Sequence, residues 1–386
     1  MHPAWRRARV LIADAEAPVV QVYDVEFEEL VEPVELPEPA QGLTLADGAE
    51  YLLVSGPTSV TPVYVGVSIL DHSEGAEDSD VPHLHVYKYP PTPVAVDLPS
   101  SAQPLVGAFG RELAIATPSG DTFSALRFQD SALLDPETFE PTASSLPLAA
   151  LDAIVPVPSG FVVLAGDVLS IVSPDLVPAE RMAASAPCAG GFGPLAHAAD
   201  RAILGCADGV ALVSVQGSAA SLTRLGSRRP TSVALHVDRP EIVVADGSAS
   251  LERFQLGDSG AEGALSPLVA SAEVCDVLFE PGHGDVLLTL SSDGAVRTLD
   301  AESGEELALA ALTGSFACDD SVRPRLAAIP ARAYVLLPEQ RELVELWVDA
   351  ELRELTRTTV PGAPRALVTA GLDLETRNLG DLSDVE

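Results

Sequence analysis

The chain of 386 residues is 47 % apolar and 20 % charged, enough to bury a large core and too hydrophobic to be disordered overall. Acids outnumber bases 57 to 22, a formal net charge of -35. A surface of that sign repels nucleic-acid phosphates and anionic membranes, so neither is expected as a partner, and with no apolar run near the ~18 residues of a spanning helix, membrane insertion is not expected either.

The opening MHPAWRRARV is basic, but LIADAEAPVV after it carries acids where a secretory h-region would be apolar. Either a leader is absent from this sequence and the protein is periplasmic or secreted, or the protein is cytoplasmic. From residue 10 a unit begins that recurs along the chain. It is an apolar β run, a turn that often reads Asp-Gly or Ser-Gly, and a second run of alternating polarity. Copies are VLIADAEAPVVQVYDV (10–25), one around YLLVSG (51–56), ELAIATPSGDTFSALRF (112–128), FVVLAGDVLSIVS (161–173) and AILGCADGVALVSV (202–215). SVALHVDRPEIVVADGSASLERFQL (232–256), a copy over 276–307 and YVLLPEQRELVELWV (334–348) complete the series.

Eight units, most of them about 40–50 residues apart, predict an all-β propeller built of WD40-like repeats. Seven blades is the alternative, because the second copy is hard to delimit. Helical periodicity is confined to short polar stretches such as 349–356. The first copy lacks a leading strand and PRALVT (364–369) is a leading strand with nothing after it, so the C-terminal strand is expected to close the ring on the N-terminal blade. Residues 1–372 then form one propeller domain, expected to be monomeric, and 373–386 an acidic tail.

The gap between the second and third copies is too long. It holds DHSEGAEDSDVPHLHVYKY (71–89), with three of the seven histidines and the lone lysine, Lys88. An inserted loop over 71–93, projecting from one face, is the expectation, and such loops often carry function. The four cysteines, 188, 206, 275 and 318, form no C-x-x-C pair. Two widely spaced pairs suit structural disulfides in an oxidising compartment better than a zinc knuckle.

LIADAEAPVVQVYDVE (11–26) and CAGGFGPLAHAADRAILGCADGVALVSV (188–215) resemble the AztD-type zinc metallochaperones. These are extracytoplasmic β-propellers that receive zinc and pass it to the substrate-binding protein of an ABC transporter. The resemblance implies a non-enzymatic, metal-handling accessory protein with Zn2+ as its ion and that binding protein as its partner. It also implies a Cys188–Cys206 disulfide; Cys275 and Cys318, at the leading strands of successive blades, could bridge those blades.

The chemistry implied is that of imidazole. Zinc takes about four ligands and favours neutral histidine, completed by thiolate or carboxylate. His83 and His85, in VPHLHVYK, match an H-x-H element of the family, and i, i+2 spacing puts both on one face of a strand. His72 or a nearby acid (Asp71, Asp78 or Asp80) folded back, or Asp152 reached across the channel mouth, would complete the set. The inner-strand histidines of the family have no counterparts here: 102–106 offers none, 151–155 only Asp152, and 191–193 reads GFG. Calcium at EGAEDSD (74–80) is a weaker reading, because its acids follow no EF-hand spacing. His236 reads as packing, His283 as a turn residue, His2 as part of a terminus, and His197 is displaced from the family's position. With no nucleophile elbow, P-loop or dinucleotide fingerprint, no catalytic residue is named. The alternative function is a metal-free propeller that serves as a docking surface for another protein.

Overall fold

The computed structural model describes residues 7–46, 49–71, 84–148, 150–173, 182–188, 192–198, 201–216, 219–226, 228–235, 239–257, 260–282, 284–348 and 351–371. They form eight four-stranded antiparallel sheets and one two-stranded hairpin. The sheets are the blades of a propeller, and each meanders outward from its innermost strand. Blade 1 joins Pro364–Ala370 to Arg9–Asp14, Val19–Asp24 and Glu29–Glu35. The C-terminal strand is therefore innermost, in register from Arg9↔Ala370 to Ala13↔Ala366, and it closes the ring. Blade 2 is Gly42–Leu45, Tyr51–Ser55, Val60–Tyr64 and the two-residue Thr92–Pro93. Blades 3 to 7 span 105–146, 153–187, 192–225, 232–269 and 274–311. Blade 8 is Arg325–Ile329, Arg332–Leu337, Glu342–Val348 and Leu352–Thr359. Residues near 352–356, where a helical stretch was expected, lie on that last strand; the described helical segments are short 3-10 turns at Asp130–Leu134 and Pro136–Thr138.

Burial explains the sequence pattern. The second strand of a blade is covered by a neighbouring blade on each face, so it is a continuous apolar run, as in Arg9–Asp14 and Arg332–Leu337, buried along their whole length. The outermost strand has solvent beside it and reads as mixed polarity, as in Glu306–Ala311 and Leu352–Thr359. Alternation sends successive side chains of a second strand to different seams: Val10 and Ile12 pack towards blade 8, Leu11 and Ala13 towards blade 2. The core is thus eight apolar clusters, one per seam, rather than one central mass.

Two disulfides reinforce the ring. Cys188–Cys206 ties the connection between blades 4 and 5 to the second strand of blade 5. Cys275–Cys318 ties the innermost strand of blade 7 to the link that leads into blade 8. No described helix is long and apolar enough to cross a membrane.

Meandering strands give the ring two distinct faces. Turns between first and second and between third and fourth strands lie on one, here the upper face. The second-to-third turns and the links between blades lie on the lower face. The insertion belongs to the upper face and to blade 2 itself. It leaves after the third strand, at Tyr64, and returns to the fourth at Thr92, rather than falling between the second and third repeats as the spacing predicts.

Candidate functional site

The insertion is built around a hairpin, Val67–Asp71 against Leu84–Lys88, in register from Val67↔Lys88 to Asp71↔Leu84. Its base is fixed in several ways. Gly66 turns the chain out of the blade with φ +77, and a Cβ there would strike the Arg9 guanidinium and the Tyr89 carbonyl, so glycine is required. The Tyr89 N–H donates to Gly66 O at 2.8 Å, and Arg9 Nη1 donates to Val65 O at 2.5 Å. Val67 and Val86 are buried with Ala370 of the closing strand and Leu11 of blade 1, so one hairpin face is part of the blade 1–2 seam.

The lone lysine is a further fastening. Lys88 Nζ lies 2.6 Å from Asp24 Oδ1 and 3.0 Å from Glu26 Oε2, and 5.4 Å from the centre of the Phe27 ring. Asp24 is buried at the end of the third strand of blade 1, where Oδ1 also accepts from the Glu26 and Phe27 N–H groups and Oδ2 lies 3.7 Å from Arg9 Nε. Burial holds the Arg9 guanidinium below its ordinary value, with Asp24 pulling the other way. Arg7 Nη1 donates to Val86 O at 2.6 Å, which ties the hairpin to the chain entering blade 1. Beneath it Tyr51, Tyr64 and Tyr89 stack in sequence, with ring centres 5.6 and 6.5 Å apart. Burial, then the charge of Glu50, pushes the Tyr51 phenol up to about 12 and also raises that of Tyr64.

Of the sequence-predicted ligands, His72 and His83 lie outside the described residues, as do Asp78 and Asp80. His85 is on the second hairpin strand, opposite Leu70. Asp152 is elsewhere. It immediately precedes the innermost strand of blade 4, on the lower face, and its carboxylate accepts from the Gly166 N–H at 2.9 Å. It therefore caps the Ala165–Val168 turn of its own blade, on the face opposite the hairpin. His2, His236 and His283 also fall outside the described residues, and His197 is on the first strand of blade 5. Among the described residues no group of three or more His, Cys, Asp or Glu side chains converges as a metal site. The acid nearest the base of the arm, Asp24, is already taken up by Lys88, Arg9 and two backbone donors. Sequence reasoning missed Asp24 and Arg9. The available signal was an isolated lysine in a chain of 57 acids, a residue that must choose its partner.

No family model matches the chain, and neither does any curated protein. Solved structures do. The Citrobacter koseri AztD crystal structure superposes with a TM-score of 0.76 over 94 % of this chain and 97 % of its own, at 17 % identity. The apo form of the same protein gives 0.72 at the same identity and coverage. Kluyveromyces lactis Hsv2 gives 0.52 at 14 % identity, over 84 % of this chain and 100 % of its own. At these identities the likeness shows the fold: an eight-bladed propeller similar to AztD from end to end.

Proposed function

We propose that the protein is an extracytoplasmic metal-handling accessory protein that carries zinc as cargo on the blade 2 hairpin and hands it to the substrate-binding protein of an ABC transporter. The observation that carries this reading is the hairpin register. The described pairs hold one unbroken register that ends at Asp71↔Leu84, with His85 opposite Leu70, and His72 and His83 are the next residues in sequence beyond that last pair. Directly opposed strand residues have Cβ atoms about 5 Å apart, and i+2 neighbours share a face. His72, His83 and His85, close together in sequence around this hairpin, are the candidate ligands. One side of the described hairpin carries Ser68 and the exposed Tyr87, while the other carries the buried Val67 and Val86. Three imidazoles and one open position suit an ion that must be released. Asp152 is outside this set. The two disulfides and the end-to-end likeness to AztD support placement in the periplasm or outside the cell.

The test is zinc titration of the metal-free protein. Wild type binds one equivalent, and His83→Ala/His85→Ala weakens binding at least tenfold. His72→Ala alone does the same, and Asp152→Ala has no effect. Equal affinity in wild type and the double variant removes the arm from the function. A second reading, a metal-free docking propeller, is favoured by the engagement of Asp24 and Asp152 in structural bonds. Absence of zinc binding by wild type would select it.

A further inference from the structure

Aromatic residues make up only 5 % of the chain, and most of those described are wholly or partly buried. Among the described residues three aromatic side chains are open to solvent: Phe27 at 64 %, Tyr89 at 50 % and Tyr87 at 39 %. All three stand at the foot of the blade 2 hairpin. Tyr87 and Tyr89 flank Lys88 in sequence, and the Phe27 ring lies 5.4 Å from the Lys88 ammonium. The exposed aliphatic side chains are dispersed instead: Leu134 in blade 3, Val168 in blade 4, Val269 in blade 6, Leu307 and Leu309 in blade 7, and Val322 on the link to blade 8. Single exposed apolar residues need no explanation, but a group of aromatics at one place does.

The three straddle the arm. Val67 pairs with Lys88 and Ser68 with Tyr87, so Lys88 faces blade 1, where it bonds Asp24 and meets Phe27, and Tyr87 is on the other side. Tyr89 rests on Tyr64, which packs into the seam with blade 3. Two of the rings are also held in place. Asp24 Oδ1 accepts from the Glu26 and Phe27 N–H groups, and Glu28 takes φ +55, so the backbone of the turn that carries Phe27 is fixed. Tyr89 ends the stack built on Tyr51 and Tyr64. Folding does not call for a phenyl ring at position 27. Lys88 is already neutralised by Asp24 and Glu26, and a cation–π contact so exposed is a weak one. Rigid aromatic rings that lose little freedom on contact are typical anchors of protein interfaces.

The surrounding charge selects the partner. Glu28, Glu29 and Glu32 are exposed on the same turn and on the outer strand of blade 1 that follows it. The described cations nearby are engaged within the chain: Lys88 by Asp24 and Glu26, Arg9 by Asp24 and Val65 O, Arg7 by Val86 O. The foot of the arm therefore offers aromatic rings beside a carboxylate rim. A second copy, itself at -35, is repelled from it. The complement is a cleft with apolar walls and a rim of lysine or arginine.

We propose that Phe27, Tyr87 and Tyr89 form the docking surface for the protein that accepts the cargo, whose basic-rimmed cleft closes over the foot of the arm. This rests on the zinc-cargo reading, because an ion carried on the arm passes on only when the ligands of an acceptor reach the arm. The foot is the anchored apolar ground beside it, with Tyr87 two residues from His85 on one strand.

The experiment is surface plasmon resonance against the immobilised substrate-binding protein of the zinc ABC transporter encoded in the same genome, with zinc titration and melting of each variant alongside. Wild type binds saturably. Phe27→Gln weakens that binding at least tenfold while its zinc affinity and melting temperature stay at the wild-type values, and Tyr87→Gln/Tyr89→Gln weakens it to a similar degree. Glu29→Gln/Glu32→Gln slows association and flattens its dependence on salt, with dissociation unchanged. No saturable binding by wild type, or full-affinity binding by Phe27→Gln/Tyr87→Gln/Tyr89→Gln, overturns the proposal. So does sedimentation in which wild type dimerises and that triple variant does not, which would give the surface to a second copy. A wild type that takes up no zinc refutes the cargo reading and this proposal with it, whereas zinc uptake with docking that ignores the three aromatics refutes this proposal alone.

Discussion

Replacing Lys88 by Met is the sharpest perturbation of the hairpin base. The ammonium is 2.6 Å from the buried Asp24 carboxylate, and methionine keeps most of the stem that packs near Phe27 while deleting the charge. Removing one partner of a buried pair costs about 3–5 kcal/mol, because the other charge remains uncompensated. Asp24 keeps two backbone donors and the more distant Arg9, so the lower end applies, about 3 kcal/mol. For a chain of this length that corresponds to a fall in melting temperature of about 3–6 °C. The assay is a double-mutant cycle by chemical denaturation with Asp24→Asn, Lys88→Met and the double variant. An amide at position 24 still accepts from the Glu26 N–H and carries no stranded charge, so the double variant recovers part of the loss, with a coupling of about 1–3 kcal/mol. A Lys88→Met effect below about 0.5 kcal/mol, or strict additivity in the cycle, would refute the claim that this ion pair fastens the arm.

Two further outcomes follow from the same structure. The Cys275–Cys318 bond closes a longer loop than Cys188–Cys206, with separations of 43 and 18 residues, and chain entropy assigns them about 4 and 3 kcal/mol. Cys275→Ser/Cys318→Ser should therefore lower the denaturation midpoint more than Cys188→Ser/Cys206→Ser; the reverse order would show that local packing, not loop closure, dominates. At alkaline pH the buried phenols govern stability. Tyr51 ionises near its ordinary value of 10 when unfolded and at about 12 when folded, so the unfolded chain releases its proton first. Its contribution is whole below pH 10 and is lost as the pH rises from 10 to 12. Tyr51→Phe should flatten the pH dependence of the melting temperature in that interval, and an unchanged slope would remove Tyr51 as its cause.

The propeller was legible in the sequence because its most buried element is its most conspicuous. Second strands such as VLIAD, IVVA and AYVLL are covered on both faces, and their uninterrupted apolar runs count the blades. Ring closure could be read from an unpaired strand pattern at each end. Blade 2 was obscure for a physical reason: its fourth strand is only Thr92–Pro93, and a hairpin separates it from the third. The insertion was visible, but its place inside a blade was not. Asp152 was chosen as a ligand from its position alone, and position along a strand does not reveal which face of the ring the strand begins on.

Closure by the last strand also bears on how the protein is made. Synthesis proceeds from the N-terminus and folding units form as they emerge. Blade 1 is released first, yet it stays three-stranded, with an unsatisfied inner edge, until residues 364–370 arrive. The blade 8–1 seam, and the half of the hairpin footing that rests on Ala370, wait for the same moment. A chain that lacks that strand exposes an open sheet edge, the kind of surface that chaperones and proteases engage.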